Sequence, residues 1–216
     1  MDSNKVDLAN ITPGLAVDID ETLSWTIGYW VQEMQKKFGN PENLTIHELI
    51  KKYRYTQNVP YWQSKEARDW MEHHRNSDEV QEVLPLIEGS PTFLNKINEI
   101  IPISAYLTIR PQIVVNGTQK WLKKHNFPNA PVISRPKEVL MADGNKWKAK
   151  VLQENFPKIK GIIDDNPNLV NLISSDYKGL IFLYDHEPVE SKLNVIACKD
   201  WKEVYAQVKE YYSKKM

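Results

Sequence analysis

Leu15-Ala16-Val17-Asp18-Ile19-Asp20-Glu21-Thr22-Leu23 is a short apolar run that ends in two aspartates. Asp is a poor strand residue, so two of them closing a strand need a reason. Side chains of an extended chain repeat with period two, which sends Asp18 and Asp20 to the same side. At the carboxyl end of a parallel strand that side is the crevice where open α/β sheets bind ligands. Two carboxylates held at ~4 Å repel by roughly 4 kcal/mol at an effective dielectric near ~20. Either a cation offsets this, as Mg²⁺ does with hard oxygen ligands, or one carboxyl keeps its proton and serves as an acid beside a nucleophile. The plainer alternative is an Asp-rich turn in which Asp20 or Thr22 caps a helix. An EF-hand is excluded, because neither the turn glycine nor the closing glutamate follows.

The choice between these readings comes from Gly161-Ile162-Ile163-Asp164-Asp165-Asn166-Pro167, a second apolar strand ending in two acids. Adjacent residues point to opposite faces, so Asp164 and Asp165 are expected to differ: one toward a metal, the other bracing the loop or a water. Tyr106-Leu107-Thr108-Ile109-Arg110-Pro111 brings a hydroxyl, Thr108, to another strand end, with Arg110 expected on the surface. In Asp143-Gly144-Asn145-Lys146-Trp147-Lys148 a lysine stands at a helix start, against the macrodipole. A basic group there suits an anionic partner. Lys146 is the first choice for that role, with Lys148 and Lys150 as rivals.

The rest of the chain sets the frame. Its 216 residues suit one domain with an insertion, or two small ones, and its formal net charge is zero. That balance gives no general attraction to nucleic acid or membranes. The single cysteine, Cys198, excludes an internal disulfide framework and suits a reducing compartment. The polar stretch Met1 to Asn10 has no apolar signal region, and no apolar run reaches the length of a membrane span. A cytoplasmic location is expected.

Residues 24–88 read as helix throughout: Trp25 to Phe38, a helix opened by the capping-box spacing of Thr45 and Glu48, then Gln63 to Arg75 and Asp78 to Leu84. From Ile103 strands and helices alternate, with strands at Ile103–Leu107, Val132–Ile133, Gly161–Ile163, Leu180–Tyr184 and Asn194–Ala197. This pattern predicts an α/β fold with a parallel sheet covered by helices on both faces. The helical block interrupts it once, just beyond Asp18 and Asp20, where an insertion forms a natural lid. The expected division is a core of residues 1–23 and 89–216 and a helical cap of residues 24–88.

Taken in order, Asp18-Ile19-Asp20-Glu21-Thr22, Thr108, a lysine and Asp164-Asp165 resemble the motifs of the haloacid dehalogenase (HAD) superfamily. The resemblance spans residues 15–185. It implies a Rossmann-like core, Mg²⁺ as cofactor, an aspartyl-phosphate intermediate and a cap of the C1 type. An Asp two residues after the nucleophile marks the phosphatases of that superfamily, and here that residue is Asp20. The look of the cap is closest to the 5′-nucleotidase and deoxyribonucleotidase branches. Carried over, Asp18 is the nucleophile and Asp20 the acid and base. Thr108 and Lys146 bind phosphate, and Asp18, Asp20 (by its carbonyl), Asp164 and Asp165 hold the metal. The expected substrate is a small phosphorylated metabolite such as a nucleoside monophosphate.

Aromatic residues crowd the cap: Trp25, Tyr29, Trp30, Tyr53, Tyr55, Tyr61, Trp62 and Trp70. One or two of them can stack on a base, but a small helical unit also needs large residues for its own core. His73-His74-Arg75 reads as a helix-end surface cluster, without the spacing of a zinc site. Two other functions compete with the metabolite phosphatase. One is a HAD-like module kept for binding or scaffolding, which would carry the carboxylate repulsion without using it. The other is a phosphatase of nucleic-acid ends, against which the neutral charge weighs.

Overall fold

A computed structural model describes residues 11–213; the polar stretch of residues 1–10 lies outside the described residues. The centre is a sheet of six parallel strands: β1 (Gly14–Val17), β2 (Ile103–Pro111), β3 (Val132–Arg135), β4 (Ile159–Asp164), β5 (Leu180–Tyr184) and β6 (Asn194–Cys198). Their order is β3-β2-β1-β4-β5-β6. The chain thus builds outward from β1 on one side, then crosses to β4 on the other. The carboxyl ends of β1 and β4 flank the point where the winding reverses, and a crevice opens there by construction.

Period two sorts the strand residues into two layers. Leu15, Val17 and Ile19 pack with Trp121 and Trp201 on one face, while Ala16, Leu107 and Ile162 pack with Leu152 and Leu169 on the other. The covering helices are α5 (Ser90–Asn98), α6 (Val115–Lys124), α7 (Gly144–Glu154), α8 (Pro167–Leu172) and α9 (Trp201–Ser213). The expected α/β fold is the observed one. Strand β1 stops at Val17, ahead of both aspartates, because Ile19 turns its carbonyl to the amides of Leu23 and Ser24 instead of to a neighbour. Strand β2 instead runs on to Pro111, so Thr108 lies inside it and not at its end.

Residues 24–88 carry four helices, α1 (Thr26–Phe38), α2 (Ile46–Tyr53), α3 (Lys65–Arg75) and α4 (Asp78–Gln81). Thr45 and Glu48 do form the capping box of α2, and Ser64 and Ser77 cap α3 and α4. These helices share a core of their own, built on Trp30, Met34, Leu49, Trp62 and Met71. At the neck of the block the two chain segments bond to each other: Trp25 N–H donates to Pro85 O at 2.9 Å and Ile87 N–H to Leu23 O at 2.8 Å. A second attachment lies at Gly117 of α6, whose N–H donates to Asp78 Oδ1 at 2.7 Å. A Cβ at Gly117 would sit 2.2 Å from the Asp78 carbonyl oxygen, so only glycine permits this approach. Trp121 of the same helix donates from Nε1 to Leu84 O at 2.8 Å.

Candidate active site

Asp18 follows β1 directly, and its N–H still bonds to Ile163 O at 2.9 Å, which fixes it beside the end of β4. There it meets Asp164 and Asp165. One carboxylate oxygen from each of the three lies within 4.8 Å of the others. Both Asp164 and Asp165 thus offer an oxygen to the cluster, and Asp164 also braces the loop as expected of one of the two. Asp164 is the last residue of β4, and Asp165 lies past it, where the strand alternation has ended and the chain turns toward α8. The turn is set by Asp164 Oδ1, which accepts from Asn166 N–H at 2.9 Å, and by Asn166, which caps α8.

Lys148 reaches the cluster from α7. Its Nζ lies 2.7 Å from Asp18 Oδ1 and 2.9 Å from Asp164 Oδ2. The contact with Asp18 is a charge contact outside hydrogen-bond geometry, which leaves that buried oxygen without a hydrogen-bond donor. The expectation for Lys146 is corrected here: Lys146 is exposed, whereas Lys148 is 2 % exposed among the carboxylates. The dipole argument located the right helix turn, but at ~100° per residue two positions along put the side chain on the opposite face. Lys150 is also exposed and pairs with Glu154 on the surface.

Asp20 is held away from the cluster. Arg110 approaches it with Nε at 3.1 Å from both carboxylate oxygens and with Nη2 at 2.7 Å from Oδ1. Thr26 Oγ1 donates to the same Oδ1 at 2.6 Å. Arg110 is 6 % exposed, so the surface position expected for it is also corrected. The signal was present in the sequence: Arg110 stands two residues after Thr108 in a strand, on the same side as Thr108. Thr108 is fully buried and accepts from Arg110 N–H at 3.2 Å. The β1–β2 register pairs Val17 with Tyr106, which brings Thr108 alongside the segment just after Val17.

Glu21 is a residue the sequence reading passed over. Its φ of 58° is left-handed, a conformation that costs a residue with a side chain of order 1 kcal/mol or more. Its Oε1 accepts from Ile27 N–H and so caps α1, whose own cap residue, Trp25, has no acceptor. Trp201 Nε1 donates to Thr22 O at 2.9 Å and pins the same turn from α9.

The charges explain one another. Burial pushes Asp18 up to about 7, against the pull of Lys148 and with the push of Asp164 and Asp20. Burial, with Asp164 and Asp18 nearby, also raises Asp165 well above the carboxylate range. Glu21 is raised to about 8, chiefly by burial. Burial opposes the Asp20 anion too, but the charge and hydrogen bonds of Arg110 outweigh it and hold that carboxyl low. Burial also works against Lys148, yet Asp164 and Asp18 raise its pKa. The three carboxylate oxygens are hard donors that would suit a divalent cation such as Mg²⁺.

These shifts carry a pH dependence with a defined sign. Asp18, Asp165 and Glu21 hold protons in the folded state at pH values where unfolded carboxylates, near pH ~4, have lost them. Their contribution to stability is complete below pH ~4 and is lost as pH rises through about 7 to 8. In EDTA the melting temperature should fall between pH 5 and pH 8.5, and Mg²⁺ should raise it more at pH 8.5 than at pH 5. Melting curves that respond equally to Mg²⁺ at both pH values would show that the carboxylates do not bind it.

A cavity of about 540 Å³ opens beside Asp165 and Glu21, walled by Trp25, by His47 and Lys51 of α2, and by Arg54 just past its end. Of the cap aromatics, Trp25 alone lines it. Trp30 and Trp62 are buried in the block's core, and Tyr29, Tyr53, Tyr61 and Trp70 pack against that core. Tyr55 is exposed. His73 belongs to a different surface depression, with Asp69, Asn76 and Asp78.

A doubly wound parallel sheet with paired carboxylates at its reversal point, a buried lysine beside them and a helical insertion after β1 defines a HAD-type phosphatase. The sequence profile described as "5′ nucleotidase, deoxy (Pyrimidine), cytosolic type C protein" matches residues 12–208, and the chain belongs to that family. Among solved structures, a HAD family hydrolase from Deinococcus radiodurans R1, determined with bound phosphate and sodium, aligns with a TM-score of 0.53 and 15% identity over 92% of this chain and 96% of its own. A HAD-superfamily hydrolase from Ehrlichia chaffeensis gives 0.48 and 15% over 93% and 98%. Cytosolic 5′-nucleotidase IIIB bound to cytidine gives 0.41 and 14% over 94% and 86%. The first of these supports the fold; the other two are too distant for argument. No curated protein sequence matches the chain. Among the described residues no helix is long and apolar enough to cross a membrane.

Proposed function

We propose that the protein hydrolyses a small phosphomonoester, with a nucleoside 5′-monophosphate as the preferred class, through an aspartyl-phosphate on Asp18. The observation that carries this reading is the meeting of Asp18, Asp164 and Asp165 around Lys148, with Asp20 held two residues beyond Asp18. Mg²⁺, held by Asp18, Asp165 and the Asp20 carbonyl with Asp164 alongside, would neutralise phosphate charge.

The remaining chemistry belongs to the chain. An Asp18 oxygen forms a bond to phosphorus while the bond from phosphorus to the ester oxygen breaks. Asp20, which must first take up a proton against the pull of Arg110, gives that oxygen the proton. Water then attacks phosphorus, the bond to Asp18 breaks, and Asp20 takes the proton of the water. Lys148 and the Thr108 segment hold phosphate oxygens. Residues 24–88 act as the cap over a core of residues 1–23 and 89–216, and the protein works in the cytoplasm, as the family description suggests.

The nucleotide preference draws on that description and on the cavity, whose volume of about 540 Å³ lies within the usual range for small-ligand sites. Trp25 lines that cavity, its indole seated against Gly28 and stacked on the His47 ring at 5.5 Å. The test is phosphate release from a panel of nucleotides, sugar phosphates and 4-nitrophenyl phosphate, in Mg²⁺ and in EDTA. Release from nucleoside monophosphates that EDTA abolishes is the expected result; no release from any ester would end the phosphatase reading. Trp25→Ala should lower nucleotide kcat/KM by about 10-fold, the scale of one stacked base, relative to 4-nitrophenyl phosphate. Equal losses on both substrates would make Trp25 a packing residue.

A further inference from the structure

We propose that Arg110 is the positioning residue for Asp20, fixing the orientation of its carboxylate. The inference rests on the phosphatase reading above. Asp20 Oδ1 accepts three hydrogen bonds, from Thr26 Oγ1 at 2.6 Å, Arg110 Nη2 at 2.7 Å and Arg110 Nε at 3.1 Å. Oδ2 accepts only its share of the same Nε, also at 3.1 Å. The carboxylate therefore has one saturated oxygen and one nearly free, and 26 % of its side-chain surface remains exposed.

The guanidinium is itself fixed. Nη2 also donates to Ser24 Oγ at 3.1 Å, and Nη1 donates to Thr118 Oγ1 at 3.3 Å. Ser24 Oγ lies 2.7 Å from Thr26 Oγ1. Because Thr26 spends its proton on Asp20, Ser24 is the donor in that pair. The bonds close a ring from Arg110 through Ser24 and Thr26 to Asp20, and from Arg110 directly to Asp20. A planar fork locked on three sides fixes the plane of the carboxylate and not merely its charge. The ring joins three separate parts of the chain: β2, the turn after β1, and the first residue of α1. Asp20 is thus aimed by residues that need not touch phosphate.

In the first half-reaction the proton passes from Asp20 to the ester oxygen as its bond to phosphorus breaks. In the second it returns to Asp20 from the attacking water. An alkoxide leaving group needs that proton; 4-nitrophenolate leaves without it. The parameter kcat/KM covers only the steps through departure of the leaving group, so it isolates the first half-reaction. The measurement uses the full chain in Mg²⁺, comparing the alkyl phosphate of the panel that is turned over fastest with 4-nitrophenyl phosphate. Arg110→Gln should lower kcat/KM for the alkyl ester about 10²-fold more than for the aryl ester, the low end of general acid–base contributions. Thr26→Val, which removes one donor to Oδ1 without unpairing a buried charge, should shift the same ratio in the same direction by several-fold. It decides the matter if Arg110→Gln does not fold. Losses equal on the two esters, or no loss in either variant, would overturn the positioning role and leave the phosphatase intact. No phosphate release by the wild type from any ester would overturn the phosphatase reading, and this inference with it.

Discussion

Asp18→Asn should release no phosphate from any monoester that the wild type hydrolyses, a fall of more than about four orders of magnitude. The amide keeps the shape of the side chain but cannot form the bond to phosphorus, and it withdraws one hard oxygen from the cation set. The site is otherwise preserved, since Lys148 keeps its 2.9 Å contact with Asp164, and circular dichroism should report an unchanged fold. Wild-type turnover of 4-nitrophenyl phosphate by this variant would refute the nucleophile assignment.

Lys148→Met should have the largest effect on stability. Among the described residues the lysine is the one side-chain cation paired with both Asp18 and Asp164, and all three groups are buried. Removing one partner of a buried ion pair costs about 3–5 kcal/mol, because the remaining charge is left without compensation. The loss should be largest at pH 8 in EDTA. It should shrink toward pH 5, where Asp18 and Asp165 take up protons, and shrink again when Mg²⁺ is added. Phosphate release should fall with it. Lys146→Met offers the contrast, since an exposed lysine should change stability by less than about 0.5 kcal/mol. Denaturant titration of both variants decides between the two lysines, and equal effects would undo the assignment to Lys148.

How much of this was legible beforehand varied with the physics of each residue. The aspartates were legible because an acid that closes an apolar strand contradicts local propensity, and such contradictions concentrate where there is function. The capping box of α2 was legible because both partners lie within one helical turn. The strand order was not, since nothing local to β4 says on which side of β1 it pairs. Lys148 was misplaced by two residues because the dipole argument knows the helix end but not the helix face. Arg110 was set on the surface because its charge was weighed without its strand side, although the period of two was available. Glu21 escaped because a left-handed turn residue is ordinarily glycine or asparagine, and its strain shows only in the backbone angle.

The helical block is held to the rest of the molecule from the paired segments at its neck to the contact of Asp78 with Gly117, and Leu84 on Trp121 and Glu82 on Lys120 add contacts between them in sequence. A rigid body fixed at one point can turn in any direction; fixed at two, it can turn only about the line through them. Any closing of α1–α3 over Asp18 is then the swing of a door and not of a ball joint. Its path is set by the neck and by the contacts of Gly117, Lys120 and Trp121 on α6, far along the chain from Asp18 and Asp20. Residues near that line barely travel, and those on the outer helices sweep the longest arcs. A bulkier side chain at position 117 would tilt the line itself, so the door would still swing but would no longer meet its frame.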